Sequence, residues 1–219
     1  MATKTSTPRI TEDKIIAFYM DTVLEQENVP KSIYKFCKQH KLKEEEFYKF
    51  FGSFDALRKG IWNKFYTNTY DLLQKNEEYG SFSNKDKMLT FFFTFFELLT
   101  LNRSYVLFSL DGEQKMLEKL SELKGLRKQI KEFATALIEE ANSEKTLRVT
   151  KRNPAVFSEG AWVQFLFLLR YWMDDSSAGF EKTDVAIEKS VTAIFDLFDN
   201  TPLESLIDFG KFLYKENLV

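Results

Sequence analysis

Apolar residues recur along most of the chain at intervals of three and four, which is the spacing of one face of an α-helix. The first such stripe runs from Ile15 to Val23 and follows Thr11, a residue type that caps helix N-termini. This stripe predicts a helix that ends at about Glu25. Nearly every later segment has the same periodicity, so the sequence predicts an all-α fold.

Two short helical segments follow the first helix. Pro30 ends that helix, and the apolar positions then predict helices at 31–39 and 43–50. A long helix follows, starting near Phe54, and its apolar face carries Leu57, Ile61, Phe65 and Leu72. Two short helices joined by a tight turn, between a preceding and a following helix, are the arrangement of a helix-turn-helix. The sequence therefore predicts a three-helix unit of this kind near the N-terminus.

The aromatic residues of the short helices predict a small core for that unit. We expect Phe36 and Cys37 of the first short helix, and Phe47 and Phe50 of the second, to face inward, with Phe51 as a further candidate. This leaves the outer face of the second helix free to enter a major groove. His40, in the turn, is expected to be a surface or half-buried polar residue.

The apolar spacing in the remainder of the chain predicts a bundle of longer helices. One of them, at 84–101, is apolar almost all round and should be buried on every side. We expect a helix-turn-helix domain at residues 1–75 and a body of six or seven helices at 76–219. The predicted body helices include 84–101, 113–142, 155–174, 181–199 and a last helix from Pro202 to about residue 215.

The composition narrows the possible functions. A single cysteine and a single histidine argue against a disulfide framework and a multi-cysteine zinc site. No glycine-rich phosphate loop, nucleophile motif or metal-ligand spacing is present, so we expect neither an enzyme nor a bound cofactor or metal. The 23 phenylalanines indicate either a bulky core or an apolar cavity.

Charge and hydropathy bear on partners and location. The net charge of the whole chain is −2, but residues 1–75 carry 13 Lys and Arg against 10 Asp and Glu. That slight excess fits a part that faces nucleic acid, although it creates only a weak field. No signal-peptide pattern or membrane-length apolar run is present, so we expect a cytoplasmic protein without membrane insertion.

One segment carries a family resemblance. The residues F-Y-K-F-F-G-S-F-D-A-L at 47–57 resemble the end of the recognition helix and the start of the fourth helix in TetR-type repressors, where the pattern is roughly L-Y-x-Y-F-x-S-K-E-x-L. Phe36-Cys37 resembles the Ile-Ala pair of that family. The resemblance covers residues 10–75, and the body matches as a helical region of suitable length. It implies a TetR-like fold with an N-terminal helix-turn-helix and a helical ligand-binding body.

The resemblance also implies which residues contact duplex DNA. The chain departs from the family at K-L-K-E-E-E (41–46), where G-V-S-K-G-T is common, and at Phe54, where the family has a phosphate-binding lysine. Carboxylates there are repelled by phosphates but can accept from the amino group of cytosine. The candidate DNA-binding residues are Arg9, Lys31, Lys41, Lys43, Glu44, Glu45, Glu46, Tyr48 and Lys49.

The aromatic residues of the body, together with the resemblance, predict a pocket for an apolar ligand. Arginine and tyrosine side chains are candidates for orienting a polar head group in it. The predicted pocket residues are Phe92, Phe95, Phe96, Arg103, Tyr105, Phe108, Trp162, Phe165, Leu169 and Trp172.

Small residues at helical spacing in 181–199 allow close helix approach, and the resemblance implies a homodimer formed by the last long helices. The alternative is that the same stripe packs inside one subunit. The candidate interface residues are Phe167, Arg170, Ala186, Ser190, Ala193 and Leu197.

Two functions remain open from the sequence. The first is a TetR-like transcriptional regulator that binds operator DNA as a dimer and responds to an apolar or aromatic ligand. The second is a protein of the same fold that has weakened or lost DNA binding and binds an apolar molecule or lipid. The acidic residues at 44–46 and Phe54 favour the second, and the match at 47–57 favours the first.

Overall fold

The structure is a computed structural model that describes residues 10–110, 121–143 and 153–200, with side chains up to residue 197. These residues form nine α-helices and two 3₁₀ turns and contain no β-strand, which confirms the predicted all-α class. The helices are α1 (Glu12–Gln26), α2 (Ile33–Gln39), α3 (Glu44–Tyr48), α4 (Phe54–Gln74), α5 (Asn84–Leu101), α6 (Arg103–Leu110), α7 (Lys124–Ser143), α8 (Pro154–Asp174) and α9 (Glu181–Asn200).

Local sequence signals set the ends of several helices. The Thr11 hydroxyl accepts a hydrogen bond from the Lys14 N–H and so caps α1, as predicted. The Asn153 side chain accepts from the Ala155 N–H, with Pro154 in the first turn of α8. The predicted last helix from Pro202 lies outside the described residues.

The chain divides into two compact units. Unit 1 comprises Met1–Lys64 and Leu101–Gly125, and unit 2 comprises Phe65–Thr100 and Leu126–Val219. The chain passes from one unit to the other three times, after Lys64, Thr100 and Gly125. The first of these boundaries falls within α4. These units are defined by packing alone, so the predicted helix-turn-helix domain (1–75) and helical body (76–219) remain predictions.

Unit 1 is built around the helix-turn-helix. Helices α1 to α3 and the first part of α4 pack with α6, which lies against α1. The rings of Tyr19 on α1 and Tyr105 on α6 are 6.4 Å apart in an edge-to-face arrangement, and both residues are buried. Helix α6 therefore belongs to the core of the N-terminal unit.

Unit 2 is held by aromatic packing between long helices. Phe91 of α5 stacks on Phe133 of α7 with ring centroids 4.6 Å apart, and Phe95 meets Phe165 of α8 edge to face at 5.4 Å. Phe157 of α8 contacts Phe195 of α9 at 5.5 Å. These contacts place the core between α5, α7, α8 and α9.

Two predictions about burial are wrong. Helix α5 is not buried on every side, because Phe93 is 38% exposed and Glu97 is exposed. On α4, Leu72 was predicted to lie on the buried face, but Leu72 is exposed and Leu73 is buried instead. In both cases the apolar content of the segment exceeds the width of the face that its neighbours cover.

Within the part of the chain that the structure describes, no helix is both long and apolar enough to cross a membrane.

Candidate nucleic-acid interface

Helix α2 begins and ends with recognisable caps. The Ser32 hydroxyl accepts from the Lys35 N–H at 3.3 Å. At the other end the Lys41 N–H donates to the Lys38 carbonyl at 3.3 Å, and the Leu42 N–H donates to the Cys37 carbonyl at 2.8 Å. This pair of bonds is the Schellman motif, which turns the chain sharply towards α3.

His40 ties the turn to α1. Its Nε2 atom lies 2.7 Å from the Thr22 hydroxyl, which itself donates to the Phe18 carbonyl. Because a hydroxyl has one proton, the Nε2 of His40 must donate to Thr22. The imidazole also stacks on Phe18 with ring centres 4.5 Å apart. Burial lowers the pKa of His40 below its usual value, while Asp21 and Glu25 oppose that shift.

The carboxylates of α3 have different environments. Glu46 accepts a hydrogen bond from the Lys43 N–H at 2.9 Å and so caps its own helix. Glu45 lies 3.6 Å from the ammonium of Lys43, and both side chains are exposed. Glu44 is half-buried, with no such cap. Of the three acidic residues at the start of α3, the predicted recognition helix, Glu46 therefore stabilises the helix itself.

The core beneath α3 is a cluster of phenylalanine rings. Phe47 is buried and meets Phe36 and Phe54 edge to face, with ring centroids 6.0 and 5.7 Å apart. Phe54 also packs on Phe36 at 5.6 Å. Phe54, at the position of the family's lysine, is thus half-buried and packs against this core.

One prediction about α3 is wrong. Phe50 was expected to face inward, but it is 40% exposed, while the following residue, Phe51, is buried. Phe51 packs on Phe47 with ring centres 6.1 Å apart. The helix stops at Tyr48, so the chain no longer follows the helical period by which Phe50 was placed.

The structure places most predicted DNA-binding residues on the outside of this unit. On α3 the phenol of Tyr48 is about half exposed, and the next residue, Lys49, is exposed as well. Arg9 lies outside the described residues. The exposed members of the set are Lys31, Lys41, Lys43, Glu45, Tyr48 and Lys49, and the half-buried members are Glu44 and Glu46.

A polar contact that sequence reasoning missed joins α4 to residue 122. The Nε of Arg58 donates to Glu122 at 2.6 Å. Burial alone would lower the pKa of Arg58, but hydrogen bonds to Glu122 and Tyr19 raise it above its usual value. The contact spans 64 residues of sequence, and no local pattern signals it.

The predicted pocket residues divide between the two units. Those of α5 and α8 form one buried aromatic cluster in unit 2, in which Phe165 contacts Trp162 at 5.3 Å and Phe96 at 6.1 Å. The indole N–H of Trp172 donates to the Thr100 hydroxyl at 3.0 Å. Phe92 and Leu169 are also buried in unit 2. Arg103, Tyr105 and Phe108 lie in unit 1 instead.

The predicted interface residues do not share one environment. Phe167 and Arg170 of α8 and Ala193 and Leu197 of α9 are exposed, and Ala186 is half-buried. Ser190, by contrast, accepts a hydrogen bond from Gln164 of α8 at 3.0 Å. That contact is internal to one subunit, which was the alternative left open for the small-residue stripe.

Sequence reasoning missed three further exposed apolar residues on these helices. Val163 and Tyr171 lie one turn before and one turn after Phe167 on α8, and Val185 lies on α9. The four-residue spacing of apolar side chains in 163–171 was visible in the sequence, and of these positions only Phe167 was predicted to lie in the interface. An open cleft of about 420 Å³ lies beside it, lined by Phe167, Arg170, Tyr171, Asp174, Asp175, Ser176 and Lys182.

Asp175 fixes the corner between α8 and α9. Its carboxylate accepts from the N–H and the hydroxyl of Ser177 and from the N–H and the hydroxyl of Thr183. Burial opposes its ionisation, but these four bonds outweigh that effect and hold the pKa of Asp175 below its usual range. The sequence predicted a helix end here, and α8 does end at Asp174.

Comparison with known families identifies the C-terminal part of the chain. Residues 87–213 match the family model described as tetracyclin repressor-like, C-terminal domain. Neither the curated proteins nor the solved structures gave a significant match.

Proposed function

The chain belongs to the tetracycline repressor-like family, and we propose that it is a transcriptional regulator that binds operator DNA through α2 and α3. The observation that carries this proposal is the outer face of α3. Phe47 anchors the helix from below, while Tyr48 and Lys49 remain exposed. A short helix held from one side and exposed on the other suits insertion into a major groove.

We propose that the regulator acts as a homodimer through α8 and α9. The exposed apolar side chains Val163, Phe167 and Val185 support this surface, because such residues gain free energy when a partner covers them. A two-fold arrangement would present two copies of α3 to two half-sites of an operator.

The ligand would bind in unit 2, where Phe92, Phe95 and Phe165 form the aromatic cluster. An apolar or aromatic molecule suits that lining. The three points at which the chain passes between the units give a covalent route by which ligand binding biases the DNA-binding unit. The effector then shifts the equilibrium between DNA-competent and incompetent states.

The decisive test is binding of the full-length protein to duplex DNA, measured by fluorescence anisotropy with a scrambled competitor and a salt titration. We expect discrimination between sequences and a steep loss of affinity with salt. Lys49→Ala should weaken binding about fivefold and reduce the salt slope by about 1 per protomer. Lys128→Ala in unit 2 is the matched control, because Lys128 is also exposed but lies on α7.

A second function is favoured by the acidic residues of α3 and by Phe54, which packs on Phe36 and Phe47 where the family has a lysine. In this alternative the protein binds an apolar molecule or lipid and no longer reads DNA. The double variant Glu44→Ser, Glu45→Ser separates the two, because it leaves the Glu46 cap intact. If the acids obstruct DNA, affinity rises in the variant; if they accept from cytosine, specific affinity falls. Native mass spectrometry of the purified protein would detect a retained ligand.

A further inference from the structure

A tyrosine hydroxyl in unit 2 is buried without a hydrogen-bond partner. Tyr79 lies in the 3₁₀ turn between α4 and α5, where its N–H donates to the Asn76 carbonyl at 3.0 Å and its carbonyl accepts from the Phe82 N–H at 3.2 Å. The residue is 6% exposed, and its hydroxyl has no partner among the described residues. Folding takes this group out of water without replacing its hydrogen bonds, which points to a partner from outside the chain.

Aromatic rings connect this hydroxyl to the proposed ligand site in unit 2. Burial raises the pKa of Tyr79, and Tyr70 and Tyr66 of α4 raise it further, so the three phenols lie close together. Tyr66 stacks on Tyr70 at 6.1 Å and meets Phe91 of α5 at 5.8 Å. Phe91 in turn contacts Phe95 of the proposed ligand site at 5.8 Å. Exposure falls from Tyr70 through Tyr66 to Tyr79, so the row of phenols leads from the surface to the buried hydroxyl.

Unit 2 contains a second buried oxygen without a partner. Oε1 of Gln129 on α7 is buried, and no donor in the described ranges bonds it. Gln129 lies one turn before Phe133, whose ring stacks on Phe91 at 4.6 Å. An amide oxygen can only accept a hydrogen bond, whereas the phenol of Tyr79 can donate one. The two atoms together therefore suit a ligand that has both a donor and an acceptor.

The charges around the phenols indicate the charge of that ligand. Burial and neighbouring phenols raise the pKa values of Tyr66 and Tyr79. Glu132 adds to the rise for the first, and Glu140 adds to the rise for the second. Both carboxylates would repel an anionic ligand. Each of them also has a lysine partner, at 3.7 Å for Glu132 and 2.9 Å for Glu140, so no uncompensated negative charge attracts a cation.

We propose that the effector is a neutral aromatic molecule with a hydroxyl or amide group, that Tyr79 donates to this group and Gln129 accepts from it, and that the rings around Phe91 bind the aromatic part. The proposal rests on the proposed function, in which unit 2 holds the ligand. It extends that site from α5 and α8 to α4 and α7, and it makes hydrocarbons and fatty acids poor ligands.

Three probes that share one ring system separate these classes: 2-naphthol, naphthalene and 2-naphthoate. Their affinities for the full-length protein would be measured by equilibrium dialysis. We expect 2-naphthol to bind about tenfold more tightly than either of the others, because it alone combines a neutral donor and acceptor. Tyr79→Phe removes one hydroxyl and no ring. It should reduce the preference for 2-naphthol over naphthalene to about threefold, with the affinity for naphthalene unchanged.

Tyr19→Phe in unit 1 is the matched control. Tyr19 is also buried, but its hydroxyl hydrogen-bonds to Arg58. This variant should lower the melting temperature by about 4 °C and leave the preference for 2-naphthol unchanged, whereas Tyr79→Phe loses no bond and should not lower the melting temperature of the free protein. The proposal is overturned if 2-naphthol binds no more tightly than naphthalene, or if Tyr79→Phe keeps the full preference. It is also overturned if Tyr79→Phe melts as low as Tyr19→Phe, because the hydroxyl would then have a partner in the free protein.

Failure of the proposed function looks different. If 2-naphthol binds as expected but leaves the affinity for a duplex selected from a randomised library unchanged, the ligand site stands and ligand-controlled DNA binding is wrong. If the protein binds no duplex at all, the same preference and its loss in Tyr79→Phe support the site within the alternative, ligand-binding function.

Discussion

The two compact units bury aromatic rings in the same way but present different surfaces. In unit 1 the rings of Phe36, Phe47 and Phe54 pack under short helices, and α3 exposes charged and phenolic side chains. In unit 2 the aromatic core lies between long helices, and α8 exposes Val163 and Phe167. A charged surface is stable in water and binds a polyanion with release of counterions. An apolar surface instead gains free energy when a partner covers it and removes it from water.

The units also differ in how their polar groups hold the helices together. Both units contain pairwise contacts, such as His40 with Thr22 in unit 1 and Lys87 with Glu140 in unit 2. Unit 2 also has one carboxylate, Asp175, that receives four hydrogen bonds at a single corner. We therefore expect the loss of Asp175 to have a larger effect than the loss of one partner of a pair.

The aromatic cores should give the largest effects, and similar ones in both units. Phe47→Ala and Phe165→Ala each remove a fully buried ring with several aromatic neighbours. We expect each to lower the free energy of unfolding by about 3–5 kcal/mol, as judged by urea denaturation. Phe47→Ala should also abolish DNA binding, because α3 loses its anchor. A variant at either position that unfolds at the wild-type urea midpoint would contradict this assignment of the cores.

Asp175→Asn should give the largest effect among the polar groups. An amide cannot accept all four bonds, and its NH₂ group would face donors, so we expect a loss of about 2 kcal/mol at pH 7. The lowered pKa of Asp175 means that its contribution is present above the unfolded pKa, near 4, and is lost as the pH falls through the lower folded value. The difference between wild type and variant should therefore shrink in urea titrations below about pH 4.

Asp174→Asn is the matched control for that corner. Asp174 is exposed and pairs with Arg170 one turn earlier at 2.9 Å. An exposed pair of this kind contributes less than about 0.5 kcal/mol. An equal loss in the two variants would show that the corner is stabilised by charge alone and not by the directed bonds to Asp175.

Much of the fold could be predicted from the sequence because its signals are local. Thr11 caps α1, Cys37 lies in the core, and α8 ends at Asp174, each as the residue types and apolar spacing indicated. Phe93 and Leu72 were misplaced because periodicity gives the apolar face of a helix but not how much of that face a neighbour covers. Phe50 was misplaced because α3 ends before it.

The candidate site was less predictable, for two physical reasons. A left-handed backbone at Lys41 and a carboxylate that caps its own helix, as Glu46 does, depend on the exact end of a helix, which periodicity places only within a few residues. The second reason is distance along the chain. Arg58 meets Glu122 and Asn84 bonds the Leu137 carbonyl, contacts that no local pattern encodes.

Loss of the ion pair between α5 and α7 should lower the free energy of unfolding by an intermediate amount. Lys87 is almost fully buried and donates to both oxygens of Glu140 at 2.9 Å. Glu140→Ala would leave a buried ammonium unpaired, so we expect a loss of about 1–2 kcal/mol in urea unfolding. Lys87→Met replaces the same stem with an apolar one and should cost less than Glu140→Ala. Equal losses would mean that the pair itself, and not the burial of an unpaired cation, determines the stability.

The smallest expected effect concerns the contact that holds the helix-turn-helix turn in unit 1. Thr22→Val keeps the shape of a buried side chain but removes the oxygen that accepts from His40. Because His40 is only half-buried, water can replace part of the lost bond, and we expect about 1 kcal/mol in urea unfolding. Thr69→Val in unit 2 is a suitable control, because the Thr69 hydroxyl bonds the Phe65 carbonyl within its own helix. A loss at Thr22 that exceeds the loss at Thr69, together with weaker DNA binding, would show that this contact positions α3. Equal losses would leave the packing of His40 between Phe18 and Phe36 as what holds the turn.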